Sequence, residues 1–186
     1  PTPQESAPNC IVSRLGQYHR SFIRSGNVLY SRSDDHWPPF EFEKNVTISG
    51  VDTYPCMVIE PATERIYSMW IRNRGNTDPG ATQQRAMEAY SDDDGETWST
   101  PVVIFQGANT IAAEVGRHDG AIFRTAYVGL DGTNFWLQGT YQAPGDPTPS
   151  ASDVFDLLNE NGTRITLFRQ VFSIASDPEL QATWIL

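Results

Sequence analysis

The sequence contains few cysteines, almost no lysine and no long hydrophobic run. Each of these scarcities argues against a class of site or partner. The two cysteines, Cys10 and Cys56, do not resemble a metal-binding pair, and whether they form one disulfide stays open. Lys44 is the only lysine among 13 basic residues, against 23 acidic ones, so the net charge is −10. Binding to a nucleic-acid backbone draws on clustered basic side chains. We therefore predict no nucleic-acid partner.

No stretch approaches the roughly 18 consecutive apolar residues that a membrane-spanning helix needs, so we predict no membrane insertion. Residues 1–9 are polar and proline-rich, without the basic start and apolar run of a signal peptide. Hydrophobic residues make up 39% of the chain and charged residues 19%, a balance typical of a folded soluble protein. The length of 186 residues fits one domain, or a domain with an appendage.

Short apolar runs separated by turn residues dominate the chain, and helical periodicity is scarce. This rhythm predicts an all-β protein of antiparallel strands with long loops. The predicted strands cover residues 21–23, 28–31, 57–59, 66–71, 86–90, 102–105, 121–128, 134–141 and 165–174. We predict a short helical turn over residues 153–159, capped by Ser152 or Asp153.

Residues 91–98 read S-x-D-x-G-x-T-W, a pattern whose side chains suit a hairpin turn. The carboxylate of Asp93 and the hydroxyl of Ser91 can accept hydrogen bonds from turn amides. Gly95 suits a left-handed backbone position, and Thr97 returns the chain to an extended conformation. We expect the indole of Trp98 to fold beneath the turn as an apolar plug.

This octapeptide resembles the Asp-box of sialidases and related BNR-repeat proteins, because it matches all five fixed positions of that motif. A degenerate second copy precedes it, 60 residues upstream when Tyr30 is aligned with Tyr90. That copy lacks the glycine and the threonine, and its matching residues are Ser31, Asp34, Asp35 and Trp37. The resemblance implies propeller blades of four antiparallel strands.

The chain is too short for a complete sialidase-like propeller, so the resemblance implies a partial one. Its expected organisation is an N-terminal arm over residues 1–20 and a repeat domain of about two blades over residues 21–141. A linker or long loop follows over residues 142–152, and residues 153–186 supply strands that complete a further blade or dock elsewhere. An open propeller edge invites association, so we expect a homo-oligomer or docking to other proteins.

Sialidases use an arginine triad, an aspartate acid/base and a tyrosine nucleophile. The residues that could serve such a site here are Arg72, Arg117, Arg124 and Asp52. However, the N-terminal Arg-Ile-Pro signature of the family is absent, and arginine or aspartate near strand ends is routine. We therefore assign no catalytic residue. The acidic run 92–94 is expected to be metal-free, so no metal or other cofactor is predicted.

Aromatic residues offer a binding hypothesis alongside the structural one. Trp70 and Trp136 are candidates for stacking on a glycan, although most tryptophans of a propeller lie in the blade core.

Together these patterns favour a non-enzymatic structural or adhesion protein of a bacteriophage or other virion. The virion setting is an analogy with Asp-box modules of phage tail and fibre proteins. The first alternative is a sialidase-type glycoside hydrolase, working as a fragment or as an oligomer. The second is a secreted carbohydrate-binding module, so the expected location is the virion or the extracellular space.

Overall fold

The computed structural model describes residues 6–13, 16–33, 42–73, 84–106, 109–118, 120–129, 135–146, 149, 153–158, 161–163, 174–177 and 182–185. Every regular element of three or more residues in this part is a β-strand. The predicted all-β class is therefore confirmed. The described residues include no helix long and apolar enough to cross a bilayer.

The strands form three four-stranded antiparallel sheets, each made from one continuous stretch of chain. Sheet 1 contains β1 (Ser6–Val12), β2 (Tyr18–Arg24), β3 (Asn27–Ser33) and β4 (Phe42–Asn45). Sheet 2 contains β5 (Asp52–Ile59), β6 (Ile66–Arg72), β7 (Arg85–Ser91) and β8 (Val102–Gln106). Sheet 3 contains β9 (Asn109–His118), β10 (Ala121–Gly129), β11 (Phe135–Gln142) and β12 (Phe155–Asp156). A separate hairpin joins β13 (Ile174–Asp177) to β14 (Ala182–Ile185).

Turn chemistry explains why neighbouring strands pair antiparallel. Between β2 and β3, Arg24 pairs with Asn27 across a two-residue loop. Both loop residues, Ser25 and Gly26, have positive φ angles, 54° and 72°. Two consecutive positive φ angles match the twist of hairpin strands, and glycine adopts that region at no steric cost.

Sheet 2 is the middle layer, because each of its faces packs against a different neighbour. Met57, Ile66 and Trp70 join residues of sheet 1 in one buried cluster. Tyr67 and Met69, which alternate with Ile66 and Trp70 along β6, join residues of sheet 3 in the other buried cluster. Side chains of successive strand residues point to opposite faces, so the alternation along β6 supplies both cores at once.

The first strands of successive sheets are neighbours. β1 packs against β5, β5 packs against β9, and β13 packs against β9. This order brings the start of each sheet to the same side of the stack.

Most predicted strands are confirmed, including those inside β3, β5, β6, β7, β8, β10 and β11. The predicted strand over residues 165–174 lies almost entirely outside the described residues. The expected helical turn over residues 153–159 is wrong, because Phe155 and Asp156 form β12 and pair with Gly139 and Gln138.

One segment that was expected outside the sheets belongs to sheet 1. Residues 6–12, expected in an N-terminal arm, form β1, and Asn9 to Val12 pair with Ser21 to Tyr18. The expected linker or long loop over residues 142–152 falls between β11 and β12 of sheet 3, and residues 147, 148 and 150–152 of it lie outside the described residues. The two cysteines are free thiols, exposed at Cys10 and buried at Cys56.

Candidate functional site

The Asp-box forms the turn between β7 and β8, and its fixed side chains bind their own backbone. The amide of Gly95 donates to Ser91 Oγ over 2.8 Å, and Ser91 Oγ donates to Asp93 Oδ1 over 2.8 Å. The Thr97 amide donates to Asp93 Oδ1 over 2.8 Å, and the Thr97 hydroxyl donates to Asp93 Oδ2 over 2.6 Å. Both carboxylate oxygens of Asp93 therefore hold the turn.

The hydrogen bonds fix the ionisation of Asp93 as well as its position. Donation from the side chain of Thr97, then from its backbone amide, lowers the pKa of Asp93 to about 2. Hydrogen bonds to the charged form of a carboxyl favour that form. Asp93 is therefore an ionised acceptor at neutral pH and is poorly suited to act as a general acid.

Gly95 lies where no side chain fits. Its φ is +85°, and a Cβ atom built on it would lie 2.0 Å from Cε1 of Tyr30 in sheet 1. The preceding residue, Asp94, also has a positive φ of 59°. The motif glycine thus serves both the turn and the close approach of sheet 1.

The variable positions of the motif, Asp94 and Glu96, bind cationic groups of sheet 1. Arg32 Nη1 lies 3.1 Å from Asp94 Oδ2 and donates to the Asp94 carbonyl over 2.6 Å. Arg32 Nη2 lies 3.3 Å from Glu96 Oε1, and Lys44 Nζ lies 3.9 Å from Glu96 Oε2. The fixed residues build the turn, and the variable residues attach it to the neighbouring sheet.

Trp98 lies partly buried at the junction of sheets 1 and 2, packed against their common core. Its ring meets that of Tyr30 edge to face, with centroids 5.4 Å apart. Tyr30 is fully buried, and its hydroxyl lies 2.7 Å from Nδ1 of the buried His19. Tyr30 is therefore the residue of sheet 1 against which the turn packs. No local sequence signal predicted this role.

Ser31 of the degenerate motif lies two residues before the strand position that corresponds to Ser91. Ser91 ends β7 and pairs with Ile66, the first residue of β6. The residue that ends β3 and pairs with Tyr18, the first residue of β2, is Ser33. Ser31 lies further inside β3, where its hydroxyl accepts from Arg20 Nε over 2.7 Å. Asp34, Asp35 and Trp37 lie outside the described residues.

Arg72 and Asp52, two candidates for a catalytic set, bind each other. Arg72 Nε donates to Asp52 Oδ1 over 2.9 Å, and Nη2 donates to Oδ2 over 3.2 Å. The Thr47 hydroxyl also donates to Asp52 Oδ2, over 2.5 Å, and Asp52 is fully buried. The Asp52 amide donates to the Gly26 carbonyl over 2.8 Å, which joins the start of β5 to the β2–β3 turn.

Arg124, a third candidate, is fully buried between sheets 2 and 3. Its guanidinium donates to both oxygens of Glu88, over 2.5 Å and 2.8 Å, and to Gln142 Oε1 over 2.8 Å. Burial raises the pKa of Glu88, and the charge of Arg124 opposes that shift. The pair fills the sheet interface and leaves Arg124 with no access to a substrate.

The remaining candidates do not join these two pairs. Arg117 is exposed at the end of β9, where it lines a small cleft with Ile59 and Glu64. Trp70 is fully buried between sheets 1 and 2, so the expectation that its ring stacks on a glycan is wrong. Trp136 is half-buried in β11.

A cleft of about 290 Å³ opens beside the Asp-box between sheets 1 and 2. Its wall includes His19, Glu64 and residues 92–94. One carboxylate of this wall, that of Asp92, accepts two hydrogen bonds from Arg65, over 2.6 Å and 3.0 Å. The described residues contain no group of three or more His, Cys, Asp or Glu side chains placed to hold a metal ion.

Comparison with known proteins places this arrangement in a structural class. The chain is similar to a solved structure named Hadza microbial sialidase Hz136, with a TM-score of 0.64 and 17% sequence identity. The fold is sialidase-like. The match covers 91% of this chain and 39% of the sialidase, so the chain spans well under half of that protein. No protein-family profile and no curated protein sequence matches the chain.

The ionised state of Asp93 gives a test of the turn. Asp93→Asn removes a charged acceptor, so we expect this variant to melt below the wild type at pH 7. Because the pKa of Asp93 is about 2 in the fold and 3.8 without the shift, the advantage of the wild type should persist above pH 4. It should disappear as pH falls towards 2.

Thermal melts of both proteins between pH 7 and pH 2 measure this difference, with Asp92→Asn as the matched control on an exposed pair. A difference in melting temperature that stays constant down to pH 2 would contradict the assigned role of the Asp93 carboxylate.

Proposed function

We propose that the chain is a non-catalytic structural and adhesion domain whose three sheets are consecutive blades of a partial propeller. The order of the first strands, β1 beside β5 and β5 beside β9, supports radial stacking of the sheets. The two covered faces of sheet 2 and the placement of β13 beside β9 as the start of a further blade also support it. Blades arranged about an axis pack in this way.

The observation that carries the non-catalytic role is that two of the candidate arginines form ion pairs within the chain. Arg124 is buried in an ion pair with Glu88, and Arg72 is bound by the buried Asp52. A carboxylate-binding site needs guanidinium groups that converge on a shared ligand position. These two instead join strands and sheets to one another, as do Arg32 and the Asp-box.

We further propose that the domain works by self-assembly or by docking to other proteins of a virion or an extracellular structure. An open edge of a partial propeller favours association, which supports this role. The virion setting rests on the resemblance to Asp-box modules of phage proteins.

The sialidase-type hydrolase is the second candidate, and the similarity of the fold to Hz136 favours it. One assay separates the two functions. We expect no release of 4-methylumbelliferone from its sialoside above the rate in buffer, for the wild type and for Arg72→Ala alike. Turnover that Arg72→Ala or Arg117→Ala abolishes, in protein that circular dichroism shows to be folded at the assay temperature, would refute the non-catalytic proposal.

The assembly proposal has its own measurement. Light scattering combined with size-exclusion chromatography should give the mass of an oligomer of two or more 20.8 kDa chains, or the protein should co-purify with a particle. A stable monomer that is absent from particles would contradict this part and leave the catalytic question to the sialoside assay.

A further inference from the structure

The cleft beside the Asp-box continues towards sheet 3. Its wide part, of about 290 Å³, is lined by residues of sheets 1 and 2 that include Ser13, Ile59 and Glu64. A narrow part of about 130 Å³ is lined by the same three residues and, among others, by Val12 and Arg117. The two parts therefore adjoin and form one groove, here called the Asp-box groove.

The groove lies at one end of the sheets, because successive turns of an antiparallel sheet alternate between its two ends. Ser13 follows β1, Glu64 lies between β5 and β6, and residues 92–94 lie between β7 and β8. Asp52 begins β5 and Arg72 ends β6, so their ion pair lies at the opposite end. The groove is thus separate from these two candidate catalytic residues.

Apolar side chains line the groove along its length. Ile59, which ends β5, and Ile66, which begins β6, line the wide part. Val12 and Pro61 line the narrow part, and Val12 is 54% exposed. Exposed apolar residues that are scattered singly need no explanation, but apolar residues gathered in a concave surface are typical of a binding site.

Acidic side chains lie beside the apolar ones. Glu64 and residues 92–94 contribute four carboxylates to the wide part, and no lysine or arginine is among the described residues that line it. Arg117 lies in the narrow part. The net charge of the chain, −10, has the same sign as the wide part, so both attract a cationic partner.

The acidic residues of the Asp-box are held in place. Asp92 is paired with Arg65, and Asp94 is paired with Arg32. Asp93 is held by neutral hydroxyl and amide groups of its own turn, so these bonds leave its charge in place. An ionised carboxylate can accept about four hydrogen bonds, so these groups retain capacity to accept from a ligand.

We propose that the Asp-box groove is the docking site for a basic, apolar segment of a partner protein. Apolar side chains of the segment would pack on Ile59, Ile66 and Val12, and its arginine or lysine groups would meet the carboxylates of the wide part. A second copy of this chain carries the same charge of −10 and would be repelled. The inference rests on the docking role proposed above and names its surface and the chemistry of its partner.

The test is binding of labelled peptides to the full chain, measured by fluorescence anisotropy. One peptide alternates leucine with arginine, a second has glutamate in place of arginine, and a third has serine in place of leucine. Glu64→Lys reverses a charge in the groove, and Glu43→Lys makes the same change outside it, in β4. Val12→Ser removes an apolar contact, with Val102→Ser, at 45% exposure in β8, as its matched control. Circular dichroism establishes that each variant is folded.

We expect the wild type, Glu43→Lys and Val102→Ser to bind the leucine–arginine peptide with similar affinity. Glu64→Lys should bind it about tenfold more weakly, and Val12→Ser about threefold more weakly. The serine–arginine peptide should bind the wild type more weakly than the leucine–arginine peptide, and the leucine–glutamate peptide should not bind.

Equal weakening by Glu64→Lys and Glu43→Lys would show attraction by net charge alone and would overturn the groove as the site. No binding of the leucine–arginine peptide by the wild type, or equal binding of the glutamate peptide, would overturn the partner chemistry. An oligomer that Glu64→Lys dissociates in light scattering would assign the groove to a second copy instead. The proposed function fails separately, through sialoside turnover or through a stable monomer absent from particles, whatever the peptides do.

Discussion

Replacing Arg124 with methionine is expected to lower the free energy of unfolding by about 3–5 kcal/mol. The substitution removes the cation that donates to both oxygens of Glu88 and leaves this carboxylate in a fully buried site. Unfolding in guanidinium chloride measures the loss. Burial already raises the pKa of Glu88, and removing the positive charge should raise it further. The deficit should therefore shrink as pH falls and Glu88 becomes protonated.

The double variant Arg124→Met with Glu88→Leu is the matched control. Replacing both members of a buried ion pair by apolar residues is often neutral, so the double variant should be more stable than Arg124→Met. Gln142 loses a donor in both proteins, so that loss cancels in the comparison. A double variant less stable than Arg124→Met would show that the unpaired Glu88 carboxylate does not cause the loss, contrary to this account.

Gly95→Ala is expected to destabilise the chain by about 3 kcal/mol or more, through two additive causes. The first is backbone strain at a φ of +85°, and the second is overlap of the new Cβ with the ring of Tyr30. Chemical denaturation measures the total.

Gly145→Ala separates the two causes. Gly145 has nearly the same φ, +86°, and a Cβ there would have no neighbour within 4 Å. This variant should cost only the strain, about 1–2 kcal/mol. Equal losses in the two variants would show that Tyr30 moves aside freely and that sheet 1 does not rest on the Asp-box turn.

The sequence predicted the strands and the turn because their signals are local. The side chains of Ser91, Asp93 and Thr97 act within eight residues, so their types and spacing suffice to predict a turn. The same locality explains the errors at β1 and β12. Pro8 lies within β1, where a bulge accommodates it, and β12 is only two residues long.

Contacts between sheets could not be predicted in this way. Glu88 and Arg124 are 36 residues apart, and Arg32 and Asp94 are 62 apart, so neither pair has a local signature. Trp70 was a candidate for glycan stacking because aromatic residues of cores and of binding faces look alike in sequence. The position of sheet 2 between two neighbours decides that its ring is buried.

The contiguity of each sheet in the chain has a consequence for biosynthesis. Sheet 1 ends at Asn45 and sheet 2 at Gln106, so each emerges from the ribosome as a whole before the next begins. Nascent domains fold as such units appear. Sheet 2 can bury one apolar face on sheet 1 at once, but the face carrying Tyr67 and Met69 must wait for β9 and β10. During that interval the nascent chain exposes an apolar surface, and a pause in translation at this point would favour binding by a chaperone.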